Sequence, residues 1–297
     1  MNPTPRAPIA LMTCESGRKF AQNVAEHMNL SLIPTEETWF ACGEGKLAIN
    51  ANVRGHDVYV FQSMIGTQDK RKGRTREGIS AGLFARMLQS AGANRVMAVE
   101  IHNDAIAGMF NPSFTHLENV FLTRHLTEWL VAKGLTGSVV VSPDVGYLER
   151  ARAYAEELSA DLAALSKERD YSKPNQVFRS TLIGEVQDQN VLLVDDIVDS
   201  AGSVVAAIDE LKSHGAADIV VACVHPIMSD PAWERLTAVK ARSVTEGWSF
   251  NFVGTSTVEH DNAPDWYHTF HIDRLTATIV QKINSRGSVR QVQQDRE

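Results

Sequence analysis

Residues 191–207 read VLLVDDIVDSAGSVVAA. The apolar run Val191 to Val194 leads into the adjacent carboxylates Asp195 and Asp196, a third acid follows at Asp199, and Ser200 and Ser203 flank Ala201 and Gly202. A short β-branched run that stops at small residues and resumes with helical period reads as a strand entering a helix. Backbone N–H groups of such a loop form an anion site, and the hydroxyls of Ser200 and Ser203 add donors to it. The three carboxylates cannot hold the same anion. Beside a phosphate cradle they fit if they accept from sugar hydroxyls or hold a divalent cation, so a sugar phosphate satisfies both charges at once. The same residue types also make an ordinary helix N-cap with spare acids.

Outward from this stretch, short β-branched runs alternate with amphipathic segments. APIALM precedes GRKFAQNVAEHM, DVYVFQS precedes ISAGLFARMLQSAG and RVMAVEI, and GSVVVSP precedes YLERARAYAEEL. After the opening stretch, DIVVACVHPI precedes PAWERLTAV. Strand and helix in this order predict an α/β fold with right-handed crossovers and parallel sheets covered by helices on both faces. Ligands then belong at the carboxyl ends of the strands. Gly92, Gly134 and Gly215 follow helical segments and read as C-caps, and the polar tail RGSVRQVQQDRE is expected to fray.

At 297 residues, 43% hydrophobic and 22% charged, the chain has material for two domains. A formal net charge of -7 argues against a nucleic-acid partner, whose binding needs a positive surface. No apolar stretch is long enough to cross a bilayer, and the start MNPTPRAPIALMTCESG makes a poor secretion signal. Cys14, Cys42 and Cys223 are far apart and lack metal or disulfide spacing, so a reducing cytoplasm is the expected location.

Several segments resemble, in order, the phosphoribosyl diphosphate synthetase family, also called ribose-phosphate diphosphokinases. They are WFACGEGKLAINANVRGHDVYVFQS, QDKRKGRTREGISAGLFARMLQSAGANRVMAVEIHNDAIAGMF, VVVSPDVGYLERARAYAEEL, DLAALSKERDYSKPN, the loop described above, and CVHPIMSDPAWERL. The resemblance implies two tandem phosphoribosyltransferase-like domains, a shortened nucleotide-binding one over 1–136 and one carrying the ribose 5-phosphate loop over 137–274. A last helix, RLTATIVQKIN, is then expected to pack back on the first domain within 275–297. It implies transfer of the β,γ-diphosphoryl group of ATP to the C1 hydroxyl of ribose 5-phosphate, with Mg²⁺ as cofactor, and a homo-oligomer, as a dimer or a ring of dimers.

Carried over position by position, the resemblance assigns the 5-phosphate to Ser200, Ala201, Gly202 and Ser203, with Asp195, Asp196 and Asp199 facing ribose hydroxyls or metal. It assigns His102 to Mg–ATP and Asp144 to metal within the diphosphate loop Asp144, Val145, Gly146 and Tyr147. Lys167 and Arg169 match the family's catalytic loop cations, on a polar stretch between strands. Phe40 and Glu44 match the adenine loop that a neighbouring subunit offers. Gln68 and Asp69 match the nucleotide-binding stretch after it, with Arg71, Arg74 or Arg76 available to phosphates.

The chain departs from the family pattern in three places. Only Met64, Ile65 and Gly66 stand where the family carries a further helix and strand, and Thr67 replaces an arginine. Cys42 replaces an aspartate of the adenine loop, and Tyr147 replaces the second glycine of the diphosphate loop. The trimmed segment and Tyr147 keep a larger ribose 5-phosphoryl acceptor in view. A catalytically silent regulatory homologue is opposed by the retained Lys167 and Arg169, and a type I phosphoribosyltransferase by the double-domain length.

Overall fold

The computed structural model describes residues 7–63, 80–169 and 177–294. Gln68, Asp69 and the arginines at 71, 74 and 76 lie outside the described residues. By its internal contacts the chain divides into two compact units, one formed by Met1–Gly66, Thr255–Asn262 and Thr269–Glu297, the other by Thr67–Gly254 and Ala263–His268.

In the first unit, β1 (Ile9–Thr13) pairs in parallel with β4 (Asp57–Phe61), with Leu11 opposite Tyr59. Between them run α1 (Arg18–His27) and an antiparallel hairpin of β2 (Thr35–Trp39) and β3 (Gly45–Ile49). The apolar positions 21, 24 and 25 of α1 fall on one face at helical spacing and are buried against Leu11 and Phe61.

The second unit begins with α2 (Ser80–Ser90), the parallel pair β5 (Arg95–Val99) and β6 (His116–Val120), and α3 (Thr123–Lys133). Helix α3 closes on Gly134, whose φ of 67° is the left-handed conformation that glycine adopts without cost. Next come β7 (Val139–Ser142), α4 (Leu148–Leu158), β8 (Asp161–Arg169), β9 (Val177–Ile183), β10 (Val191–Val198) and α5 (Gly202–Ser213). They are followed by β11 (Ile219–Pro226), α6 (Ala232–Glu246), β12 (Phe250–Thr255) and β13 (Tyr267–Phe270). These strands form a seven-stranded sheet in the order β13-β12-β11-β10-β7-β8-β9. The pairs β12–β11, β11–β10, β10–β7 and β7–β8 are parallel, whereas β9 turns back antiparallel to β8 at the edge. Strand β8 runs through Lys167 and Arg169, so these residues lie on a paired strand and not on the loop expected for them; Lys167 is opposite Ser180.

Strand β10 is central, and Val191 to Val194 are each at most 1% exposed because helices cover both faces of the sheet. Leu193, Ile208 and Leu211 pack with Val221, Phe250 and Phe252 in the main core.

The chain then returns to the first unit as α7 (Asp273–Asn284) and the short α8 (Val289–Gln294). Ala277 and Val280 of α7 complete the core of Leu11, Ala21 and Val24. Asn284 donates to the carbonyl of Ala7 and to the carboxylate of Asp57, at 2.9 and 3.0 Å, which pins α7 to the start of β4. Among the described residues no helix is long and apolar enough to cross a membrane.

Leu211 is fully buried, so Leu211→Ala should remove about 2–5 kcal/mol of stability. The measurement is urea unfolding, in which the midpoint falls while the slope is kept.

Candidate active site

From β7 the chain moves through β8 and β9 to one side of the sheet, then returns to place β10 on the other side of β7 and continues to β11 and β12. The strand order therefore reverses between β7 and β10, and in open α/β sheets the crevice beyond the carboxyl ends at such a point is where ligands bind. The two loops that leave those strand ends are residues 143–147 and 199–203. Both were singled out from the sequence.

The loop after β10 is built as an anion cradle. Ala201 has a φ of 57° and is buried, which turns the chain sharply into α5 and leaves Gly202 and Ser203 exposed at its N-terminus. Arg235 of α6 donates from Nη1 to the carbonyl of Ser200 at 2.8 Å and so braces the turn from below. A Cβ on Gly202 would stand 3.2 Å from that same Nη1, so the arginine and the glycine share one tight space. The free N–H groups of the first turn of α5, with the Ser203 hydroxyl beside them, suit a phosphate.

The loop after β7 is fixed by its own acid. Asp144 accepts from the backbone N–H of Tyr147 at 3.1 Å, and Ser142 donates its hydroxyl to the Asp144 carbonyl at 2.6 Å. Val145 and Gly146 are exposed, but the Tyr147 ring is turned inward and only 8% exposed. Burial, with Tyr154 and Glu100 nearby, pushes the pKa of its phenol well above the ordinary value. The ring is thus withdrawn from the exposed surface of the loop, so its bulk does not cover the backbone there.

Negative charge concentrates between these loops. Burial, together with the neighbouring Asp196 and then Asp144, raises the Asp195 carboxyl to about 8. The backbone N–H of Asp196 donates to Asp195 at 2.9 Å and offsets part of that shift. Asp196 itself meets His102, whose Nδ1 lies 2.5 Å from its carboxylate oxygen. The Asp196 side chain is 11% exposed and the His102 side chain 72%, so a buried acid orients an exposed imidazole and leaves Nε2 open to solvent. Hard oxygen donors in excess of nearby positive charge suit Mg²⁺, with the imidazole as a marginal partner. Among the described residues no three such side chains already converge in metal-binding geometry.

The structure thus brings together His102, Asp144, Asp195 and Asp196, with Asp199 and Ser200 to Ser203 on the adjoining loop. Lys167 and Arg169 are at the carboxyl end of β8, on the neighbouring side of β7. Phe40 and Glu44 sit in the first unit at the tip of the β2–β3 hairpin, where the Phe40 N–H donates to the Glu44 carbonyl at 2.9 Å. Phe40 is about half exposed rather than packed in a core, and Cys42 is exposed beside it.

Sequence reading passed over three residues next to this cluster. Glu100 is 3% exposed, and burial raises its carboxyl to about 7 although the backbone N–H of Leu122 donates to it at 2.8 Å. His225 ends β11 and bonds to the end of β5, and burial pushes its imidazole down. Arg150 of α4 holds both carboxylate oxygens of Asp104, just after His102, at 3.1 and 3.0 Å. A buried Glu at a strand end is a usable signal in the string RVMAVEIH; the roles of His225 and Arg150 depend on neighbours distant in sequence.

Residues 9–70 match the family described as the N-terminal domain of ribose phosphate pyrophosphokinase, and residues 114–260 match the phosphoribosyl transferase domain. A ribose-phosphate pyrophosphokinase of Fusobacterium nucleatum is 33% identical, with 95% of this chain and 96% of that protein covered. One from Bacillus caldolyticus is 32% identical over 80% of this chain and 84% of its own length. The crystal structure of phosphoribosylpyrophosphate synthetase from Mycobacterium smegmatis superposes with a TM-score of 0.80 at 25% identity, covering 94% of this chain and 100% of that one. With a relative of this identity covered almost end to end, the chain belongs to the ribose-phosphate pyrophosphokinase family.

Proposed function

We propose that the protein transfers the β,γ-diphosphoryl group of ATP to the C1 hydroxyl of ribose 5-phosphate, releasing AMP and phosphoribosyl diphosphate. The observation that carries this reading is the juxtaposition, at the point where strand order reverses, of an anion cradle at residues 200–203 with the acids at 195 and 196. In this reading the N–H groups and hydroxyls of Ser200 to Ser203 bind the 5-phosphate, and Asp195, Asp196 and Asp199 orient the ribose hydroxyls. The exposed side of the loop Asp144–Tyr147 receives the diphosphoryl group being transferred. Because the Tyr147 ring is buried, its substitution adds no contact for a larger acceptor.

His102, fixed through Asp196, and Asp144 are the residues that would hold Mg²⁺ with ATP. Bound Mg²⁺ would supply neutralisation of the phosphoryl oxygens as charge redistributes around the β-phosphorus. Phosphoryl transfer needs alignment and charge compensation more than a covalent nucleophile, and Lys167 and Arg169 supply the positive charge. Phe40 and Glu44, with Gln68 and Asp69, take the adenine and its phosphates. A half-exposed Phe40 at a hairpin tip is placed to be offered to a second subunit, in keeping with a cytoplasmic homo-oligomer. The domain division at 136/137 and 274/275 belongs to the same reading.

AMP release from ATP, Mg²⁺ and ribose 5-phosphate tests the reaction. It should depend on all three and fall by about 10³-fold or more in the Lys167→Ala, Arg169→Ala double variant. AMP formation that ignores ribose 5-phosphate, or that persists in the double variant, would sink the proposal.

A second test uses the raised Asp195 carboxyl. The native state keeps a proton on it up to about pH 8, whereas an unfolded aspartate releases its proton near about pH 4. Between those values the native state binds more protons than the unfolded state, so its contribution to stability falls as pH rises. Asp195→Asn should flatten that decline in pH-dependent unfolding.

A further inference from the structure

His225 on β11 is paired with Ile197 of β10, one residue on from Asp196. Its Nε2 lies 2.9 Å from the carbonyl oxygen of Val99 and 3.2 Å from that of Glu100. Both partners only accept, so Nε2 carries the proton and donates to the end of β5. From there the chain reaches His102 in two residues.

That turn is strained. Glu100 has a φ of 37°, a region that a residue with a side chain occupies only when its surroundings hold it there. Its N–H donates to the Val120 carbonyl at 3.0 Å, its carboxylate accepts from Leu122, and the Ile101 N–H donates to the Asn119 side chain at 3.1 Å. These bonds tie the turn to β6 and the residues just after it, which carry none of the site's acids. The His225 bond ties the same turn to the sheet whose β10 bears Asp195 and Asp196. Arg150 grips Asp104 on the far side of His102. The His102–Asp196 contact of 2.5 Å therefore joins the residues after the β5–β6 sheet to the seven-stranded sheet, and His225 bridges the two sheets from a neighbouring strand.

We propose that His225 is a positioning residue: by holding the strained turn at Glu100 against β11, it sets the place where His102 meets Asp196, without itself touching substrate. The inference rests on the proposed function for its kinetic consequences, because there His102 contacts ATP with its metal.

The test varies ATP and ribose 5-phosphate separately in AMP formation. His225→Phe keeps a ring and removes the donor, and His225→Gln places an N–H near the position of Nε2. The phenylalanine variant should lose about 10- to 100-fold in kcat/KM for ATP, with KM for ribose 5-phosphate unchanged, and the glutamine variant should recover most of the loss. In a His102→Ala background, adding His225→Phe should cost less than about twofold more, because its effect passes through His102. A full additive loss in that background, or an equal rise in both KM values without rescue by glutamine, overturns the inference and leaves a packing role. If the phenylalanine variant does not fold, His225→Asn, whose shorter amide falls short of the Nε2 position, replaces it against His225→Gln. A readout free of turnover separates this inference from the proposed function. The imidazole NMR signals of His102 should shift in His225→Phe and not in His225→Gln, and signals that stay put overturn the inference even if the wild type forms AMP. Absence of AMP from a wild type whose His102 signals respond would instead overturn the proposed function.

Discussion

Two adjacent carboxylates at the end of a strand buried on both faces repel each other, and the loops around β10 are arranged to meet that charge. Each partial answer comes from a different element. The N–H of Asp196 turns toward Asp195, His102 reaches Asp196 from beyond β5, and the loop after β10 turns at Ala201 into the N-terminus of α5. None of these offsets the cost of ionising Asp195, whose carboxyl is raised to about 8. A native protein keeps such an uncompensated arrangement at a cost in stability, and perturbed groups in a cleft are where function concentrates. A ligand that brings a cation to the acids and an anion to the cradle relieves both features together.

The sheet order explains why these charges meet. Parallel strands on either side of the reversal send their loops outward from the same edge, so the turns after β7 and β10 converge without any contact being specified by sequence proximity. Arg235 stiffens one turn by bonding the Ser200 carbonyl, and Asp144 stiffens the other by capping Tyr147. Both devices set backbone N–H groups in place before a ligand arrives, which lowers the ordering cost of binding. The strained Glu100 belongs to the same economy. Its φ is tolerated because β6 and β11 hold it from two directions, and it delivers His102 to the edge where the acids stand.

Much of this was legible from local patterns. The run at 191–194 is buried throughout, the residues after it turn into α5, and Gly134 and Gly215 take positive φ where helical segments end. These features follow from periodicity and from residues with special backbone preferences, both of which are local. The hairpin at 35–49 was not legible because TEETW lacks an apolar alternation and its residues are largely solvated on both faces. The strand through Lys167 and Arg169 was hidden for a related reason. Its charged end is ordered by antiparallel pairing with β9, a partner that composition does not announce. Tyr147 was misleading in isolation, since only the fold shows that a side chain at a glycine position can turn inward. Glu100, Arg150 and His225 needed the spatial neighbours of strand ends, which a single sequence does not contain.

The first unit shows how segments far apart in the chain close one core. Among its described residues β1 and β4 form a two-stranded parallel sheet, an arrangement with little stability of its own. Val58 and Val60 of β4 are exposed on one face, while the alternate residues Tyr59 and Phe61 pack inward. Burial on that inner face comes from α1 and from α7, which arrives from the far end of the chain to cover Leu11 and Val24 with Ala277 and Val280. Asp57 and Asn284 lock this closure at one end, and His27 with the buried Asp273, 2.6 Å apart, lock it at the other. A helix separated by more than two hundred residues from its partners thus stabilises the strands that frame the Phe40 hairpin. Contacts of such sequence separation carry a large closure entropy, so the core of the first unit is complete only once α7 has joined it.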